Sequence, residues 1–261
     1  MSKAAMMLWV DGVTADAAAL AVPALVNYGH FTAMQVRHGA VRGLEHHLRR
    51  VDAANRELFG HGLDLERVRA RWALAVRDQP DAYLRATFYQ TPDGQTHDLV
   101  AVRPPVEPSQ TPQRLRPVSY TRPFAHLKHV GTFALIRYGN EAEQAGFDDA
   151  LLTTAHGEIA ETTIANIGFV AGRCVTWPTA PGLRGIGQQL LEDALPAGGL
   201  AVEHVPVRLT EVSGFDGAFV VNSIGVVPVA QIDGHRFAEP GETIAEIIKA
   251  HAELPWDQLD A

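Results

Sequence analysis

The chain has 261 residues, 46% hydrophobic and 20% charged, enough apolar material for a real core in one large domain or two small ones. Its 22 Lys and Arg stand against 30 Asp and Glu, a formal net charge of -8 that makes nucleic acid and anionic membrane poor partners. One cysteine, Cys174, rules out an internal disulfide, and no run approaches the roughly 20 apolar residues of a membrane helix, so a reducing cytoplasm is the expected location.

The apolar run at residues 6–10 is too short for a signal-peptide core. Residues 8–12 read as a strand and turn, and residues 31–36 as a second strand. His38-Gly39-Ala40 turns the chain, and residues 41–44 return it. Helical spacing follows at residues 45–58, with Leu48, Val51, Ala54 and Leu58 on one face, and again at residues 63–76. Residues 82–90 and 97–102 read as paired strands across Thr91-Pro92-Asp93-Gly94. These elements make a small α+β domain over residues 1–104. Residues 105–113, with Pro105, Pro108 and Pro112, read as an interdomain linker, and residues 114–261 as a larger, β-rich α/β domain.

The second domain carries the stretch on which the functional reading rests. His126-Leu127-Lys128-His129 sets a lysine between imidazoles. Asp148 to Thr154 reads as a half-buried strand, ended by the turn Ala155-His156-Gly157. Residues 158–170 form one β-rich run holding Glu161, and Cys174-Val175-Thr176-Trp177 a short strand in which the cysteine is a small buried hydrophobe. Pro181-Gly182-Leu183-Arg184-Gly185-Ile186-Gly187-Gln188 then leads into an apolar-periodic helix at residues 189–195. Later strands lie at residues 201–207, 218–223 and 226–232, and a closing helix at 243–250. A lysine, a carboxylate and a helix start, in that order, can hold an aldehyde, a ring nitrogen and a phosphate. Those are the three handles of pyridoxal phosphate.

The Lys128 segment, Gly146-Phe147-Asp148-Asp149-Ala150-Leu151-Leu152, Glu161 with Asn166-Ile167-Gly168-Phe169, and Leu183-Arg184-Gly185-Ile186 together resemble the fold-type IV pyridoxal-phosphate enzymes. These are the class IV aminotransferases, acting on branched-chain or D-amino acids, and the 4-amino-4-deoxychorismate lyases. The likeness covers nearly the whole chain. It implies an α/β fold-type IV architecture, a homodimer, pyridoxal 5'-phosphate in the cleft between two domains, and Lys128 as Schiff-base lysine and general acid/base. It assigns Glu161 to the pyridine nitrogen, where the residue alone reads equally as an outward strand position, and Asn166 to ordering the neighbouring loop. Ile186 and Gly187 would offer backbone N–H groups to the phosphate. The family usually has Leu-Pro-Gly-Ile-Thr-Arg here, so Gly187 stands in place of a threonine and Arg184 is open as a substitute. Ser223, then Asn222, are the expected phosphate ligands at a strand end, against the plainer reading of a serine in a turn.

In His46-His47-Leu48-Arg49-Arg50 the family pattern registers on His47 and makes Arg50 a phosphate ligand. His46 and His47 project about 100° apart on a helix and are no metal site; no metal is expected. Tyr83-Leu84-Arg85 resembles the branched-chain aminotransferases, with Arg85 as substrate-carboxylate clamp or a cross-strand salt bridge. Phe31-Thr32-Ala33-Met34 resembles the lyases instead, with Thr32 near the reacting bond. Phe133 stands where aminotransferases have a tyrosine. Three functions remain open at this point. One is amino-group transfer between an amino acid and a 2-oxo acid, one a lyase releasing pyruvate, and one a cofactor-binding protein without turnover.

Overall fold

The structure, a computed structural model, describes residues 6–260 and divides into two compact units. The first holds residues 6–106, 127–131 and 255–260. Its elements are β1 (Met7–Val10), β2 (Val13–Thr14), α1 (Ala21–Leu25), β3 (Gly29–Val36), β4 (Ala40–Val41), α2 (Leu44–Phe59), α3 (Leu65–Val76), β5 (Ala82–Gln90) and β6 (Thr96–Arg103). The main sheet runs β2-β1-β6-β5-β3, antiparallel throughout.

Strand alternation gives this sheet two faces. Met34, Leu84, Ala86, Phe88, Val100 and Val102 point under α2 and α3, meeting Leu48, Val51, Val68, Trp72 and Val76 in one core. The intervening residues Phe31, Ala33, Tyr83, Arg85, Thr87, Tyr89, Leu99 and Ala101 form the other face. The helix limits follow from local chemistry. Gly43, at φ 67°, turns the chain into α2, whose first N–H (Leu44) is accepted by the Asp257 carboxylate at 3.0 Å. Gly60, at φ 79°, ends it. The Asp64 side chain accepts from Arg67 N at 3.1 Å, so α3 begins at Leu65 rather than at residue 63.

The second unit holds residues 107–126 and 132–254. Its elements are β7 (Gln113–Ser119), α4 (Phe133–Gln144), β8 (Asp149–Thr153), β9 (Ile159–Thr162), β10 (Asn166–Ala171), β11 (Cys174–Pro178), α5 (Ile186–Ala194), β12 (Ala201–Val205), β13 (Gly217–Val221), β14 (Val226–Ile232), β15 (His235–Arg236) and α6 (Glu242–Ala252). The strand order is β12-β11-β10-β13-β14-β7-β8-β9, and β9 pairs back onto β10, closing six strands into a ring. That closing pair sets Glu161 directly opposite Asn166.

Five further expectations change. Residues 127–131 and 255–260 group with the first unit. The reason lies in their backbones: Phe31 N donates to Lys128 O at 2.8 Å and Val130 N to Gly29 O at 3.0 Å, laying the lysine segment along β3, while Asp257–Gln258 pairs with β4. The half-buried strand expected at 148–154 is Asp149–Thr153, with all five residues buried, because β8 runs parallel to β7, pairs with β9 on its other edge and is covered by α4. The single run at 158–170 is two strands, since Thr162 and Ala165 hydrogen-bond each other around a turn. The helix expected from residue 189 starts at Ile186, which brings Ile186 and Gly187 into its first turn. Cys174 is half-buried rather than buried, and burial together with Glu203 raises its pKa. Among the described residues no helix is long and apolar enough to cross a membrane.

Candidate active site

In the first unit, the sheet face away from α2 and α3 is one wall of a cavity of about 600 Å³, which α1 and the residues after it help to enclose. Tyr83 and Arg85 both line it. The Arg85 guanidinium lies 3.7 Å from the centre of the Phe31 ring, and Lys128 Nζ lies 4.9 Å from the centre of the same ring. Two cations therefore share one aromatic platform. Arg85 Nε donates to Thr87 Oγ1 at 3.3 Å, and among the described residues Arg85 has no carboxylate partner, so the cross-strand salt bridge is absent. Burial lowers its pKa, so binding an anion would relieve a desolvated charge. Arg103, over the Tyr83 ring at 4.4 Å, adds a second cation to the cavity wall.

Thr32 lies on the opposite side of β3, with none of its surface exposed. Its Oγ1 is 2.6 Å from His47 Nδ1 and accepts from Arg50 Nη2 at 2.5 Å. The cavity-facing neighbour on this strand is Ala33. Burial brings the Arg50 pKa down to about 10, still a cation at neutral pH, and the buried Nε–H has no hydrogen-bond partner among the described residues. An orphaned donor on a desolvated cation is what a phosphate would satisfy. His46, next along α2, instead meets Arg49 at 3.1 Å, so the two adjacent histidines do diverge.

In the second unit, Glu161 and Asn166 both hold Leu183. The Leu183 N–H donates to Glu161 Oε2 at 3.1 Å, and Asn166 Nδ2 donates to the Leu183 carbonyl at 2.6 Å. These bonds fix the loop that enters α5. A Cβ at Gly185 would sit 1.9 Å from Asn166 Oδ1, so a larger residue there would displace the Asn166 amide from Leu183. The other Glu161 oxygen, Oε1, accepts from Arg122 Nε at 3.1 Å, with both side chains buried. Arg122 escaped the sequence reading: it stands in Thr121-Arg122-Pro123, where no periodicity or spacing marks it.

Gly185 offers α5 no side-chain cap, so the first-turn N–H groups of Ile186 and Gly187 stay available to an anion. The missing threonine at 187 has a steric cause: a Cβ there would lie 2.8 Å from the Asn222 carbonyl oxygen and 2.8 Å from Val221 Cγ2. Asn222 is engaged locally, its Oδ1 accepting from Ile224 N at 2.8 Å. Ser223, half-buried beside it, makes no side-chain hydrogen bond among the described residues. Arg184 is drawn away, donating to Glu192 at 2.8 Å. Phe133, the first residue of α4, is 77% exposed.

Comparison with known proteins adds independent findings. The family model described as "Amino-transferase class IV" matches residues 29–232. A probable branched-chain-amino-acid aminotransferase of Rickettsia felis is 36% identical over 94 residues, 36% of this chain and 32% of the relative. The match thus spans about a third of the length of that curated relative. A hypothetical aminotransferase from Mycobacterium tuberculosis, solved in a PLP-bound form, superposes with a TM-score of 0.82 at 22% identity, covering 95% of this chain and 98% of that one. A putative 4-amino-4-deoxychorismate lyase from Legionella pneumophila gives 0.82 at 18% identity, covering 90% and 93%. At such identities the likeness is one of fold.

Proposed function

The chain belongs to the class IV aminotransferase family, of fold-type IV architecture and served by pyridoxal phosphate, and on that premise we propose that it transfers an amino group between an amino acid and a 2-oxo acid. The observation that carries this reading is the pairing on Phe31: an amine, Lys128 Nζ, and a guanidinium without a carboxylate partner, Arg85, over one ring beside a cavity of about 600 Å³. Arg85 holds the substrate carboxylate, and Tyr83 and the apolar wall receive the side chain. Pyridoxal phosphate supplies an aldehyde that holds the amino group and a ring that accepts the electrons of the bond broken at Cα. Lys128 Nζ would hold the cofactor's aldehyde carbon and would serve as the base and acid that moves the proton between the substrate Cα and the cofactor.

The residues present fit the cofactor. In the first unit Arg50 brings a buried donor without a partner among the described residues; in the second, taken by itself, the uncapped start of α5 brings Ile186 and Gly187 N–H groups with the Ser223 hydroxyl, each set suited to a phosphate. Glu161 faces the pyridine nitrogen in this reading, steadied by Arg122, while Asn166 orders Leu183. A homodimer belongs to the same reading and is checked by sedimentation.

The Asn222-Ser223 motif and the fold of the Legionella protein support a second reading, lyase chemistry that expels pyruvate. The buried position of Thr32 counts against its acting at the reacting bond. The two readings separate in one experiment. Pyridoxal phosphate added to the apo-protein gives a visible absorbance band, absent in Lys128→Ala. Transfer predicts that the band changes with an amino donor, drawn from a panel of L- and D-amino acids, and returns only with a 2-oxo acid. Pyruvate appearing from aminodeoxychorismate with no oxo acid present contradicts transfer, no change with any donor contradicts transfer as well, and no pyruvate from aminodeoxychorismate contradicts the lyase reading.

A further inference from the structure

Beneath the sheet, on the side away from the cavity, Arg50 ends a chain of three polar side chains whose other two members, His47 and Thr32, have no role in the reading above. His47 and Arg50 are three residues apart on α2 and so share a helix face; Thr32 meets that face from β3. We propose that His47 is a positioning residue which, through the Thr32 hydroxyl, holds the Arg50 guanidinium in the orientation that binds the cofactor's phosphate. The proposal rests on the reading above that Arg50 binds that phosphate.

The direction of each hydrogen bond follows from chemistry. A guanidinium can only donate, so the Thr32 oxygen receives from Arg50 Nη2 across 2.5 Å. Thr32 is fully buried, and among the described residues the acceptor within reach of its own hydrogen is His47 Nδ1, 2.6 Å away, so the bond is read as hydroxyl to Nδ1. That fixes His47 as the neutral imidazole carrying its proton on Nε2. The imidazole is 1% exposed; burial first, then the charges of Arg50, His46 and Lys128, hold its pKa well below the usual range, in keeping with an acceptor. One corner of the guanidinium is thus tied down, while Nε, buried and without a partner, is left for the ligand. An arginine free to rotate would give up more entropy on binding; this one is oriented beforehand.

The test compares the affinity of the apo-protein for pyridoxal phosphate and for pyridoxal, which lacks the phosphate, by absorbance titration. Thr32→Val keeps the side chain's shape and removes the relay, and His47→Ala removes its end. Both are expected to weaken pyridoxal phosphate about tenfold, the worth of one hydrogen bond to a charged group, with pyridoxal changed less than about twofold. Thr32→Ser and His47→Asn, whose side-chain oxygen can accept in place of Nδ1, should restore most of the loss. Arg50→Gln separates the layers of the argument. If it leaves the ratio of the two affinities unchanged, Arg50 is not the phosphate ligand and the site assignment above fails. If Arg50→Gln collapses the ratio while Thr32→Val and His47→Ala do not, the relay is wrong and the assignment stands. Should His47→Ala unfold by circular dichroism, the near-isosteric Thr32→Val and its serine counterpart decide the matter.

Discussion

Arg122 donates through Nε to Glu161 at 3.1 Å, and the side chains keep only 6% and 9% of their surface in solvent. A carboxylate so enclosed needs its partner, because removing one member of a buried pair costs more than the pair contributes. Arg122→Met should therefore lower stability by about 3 kcal/mol, as read from urea melts of the apo-protein. Arg122→Met with Glu161→Gln, which removes both charges, should regain at least half of that. A double variant as unstable as the single one would show that packing, not charge, sets the cost.

Gly187 departs from the family's usual threonine, and the fold gives a reason. A Cβ at this position meets the Asn222 backbone oxygen and Val221 Cγ2, each at 2.8 Å, and the first of these cannot move without shifting the end of β13. Restoring the family residue, Gly187→Thr, is thus expected to weaken pyridoxal phosphate binding rather than strengthen it. Fluorescence titration of the apo-protein decides this. A tighter complex in the variant would mean that the strand end yields and that the added hydroxyl reaches the phosphate.

The sequence made the strands and amphipathic helices of the first unit legible because alternation and helical spacing are local signals. Met34, Leu84, Phe88 and Trp72 announce one core, and Tyr83 and Arg85 fall on the other face by parity alone. In the second unit, α4 was missed: Phe133 and Ile136 are exposed, and Ala142 is the buried residue of the helix. The lysine segment follows the linker in sequence yet groups with the first unit, since its backbone pairing with β3 links residues 29–31 to 128–130 and no local pattern encodes it. Arg122 and the Thr32–His47 bond were hidden for the same reason, being contacts between elements distant in sequence.

Arg184, a possible substitute for the missing threonine hydroxyl, is instead bound to Glu192, which also accepts from Gln188 at 2.7 Å and meets His204 at 2.9 Å. The Glu192 carboxylate keeps 8% of its surface in solvent, and these partners hold its pKa below the ordinary value despite burial. Arg184→Ala, with an exposed guanidinium, should leave cofactor affinity within about twofold. Glu192→Ala is expected to lower the melting temperature by several degrees, because it releases three partners at once. A marked loss of cofactor affinity in Arg184→Ala would return this arginine to the phosphate.

Arg85 and Arg103 each lie over an aromatic ring of the cavity wall, but only Arg85 shares its ring with Lys128. If Arg85 holds the substrate carboxylate, Arg85→Leu should raise KM about tenfold or more, because a charge-assisted bond is lost in ground and transition states alike. The kcat should change much less. Arg103→Leu, exposed on its strand end, should have the smaller effect. Steady-state kinetics on an amino donor and a 2-oxo acid read both, and a fall in kcat with unchanged KM for Arg85→Leu would move that residue from binding to the chemical step.

Two buried histidines set an acid limit on the first unit. Burial takes the His30 pKa from 6.5 to about 4, opposed by a hydrogen bond with Asn55 and assisted by the Arg50 charge, and holds that of His47 well below its usual value. Both are neutral in the folded protein, whereas the unfolded chain takes up protons below about pH 6.5. A lowered folded pKa means that stability is fully present above 6.5 and is lost as pH falls toward the folded value. His30 alone then removes about 3 kcal/mol by pH 4, and His47, neutral in the fold over that range, adds its own loss from 6.5 downward and continues below pH 4. Urea melts of the apo-protein from pH 7.5 to 4 should show the decline begin near 6.5. His30→Gln, which carries no proton equilibrium, should make the curve shallower between 6.5 and 4 and leave the share that His47 contributes. A slope unaltered in that variant would assign the acid loss to carboxylates instead.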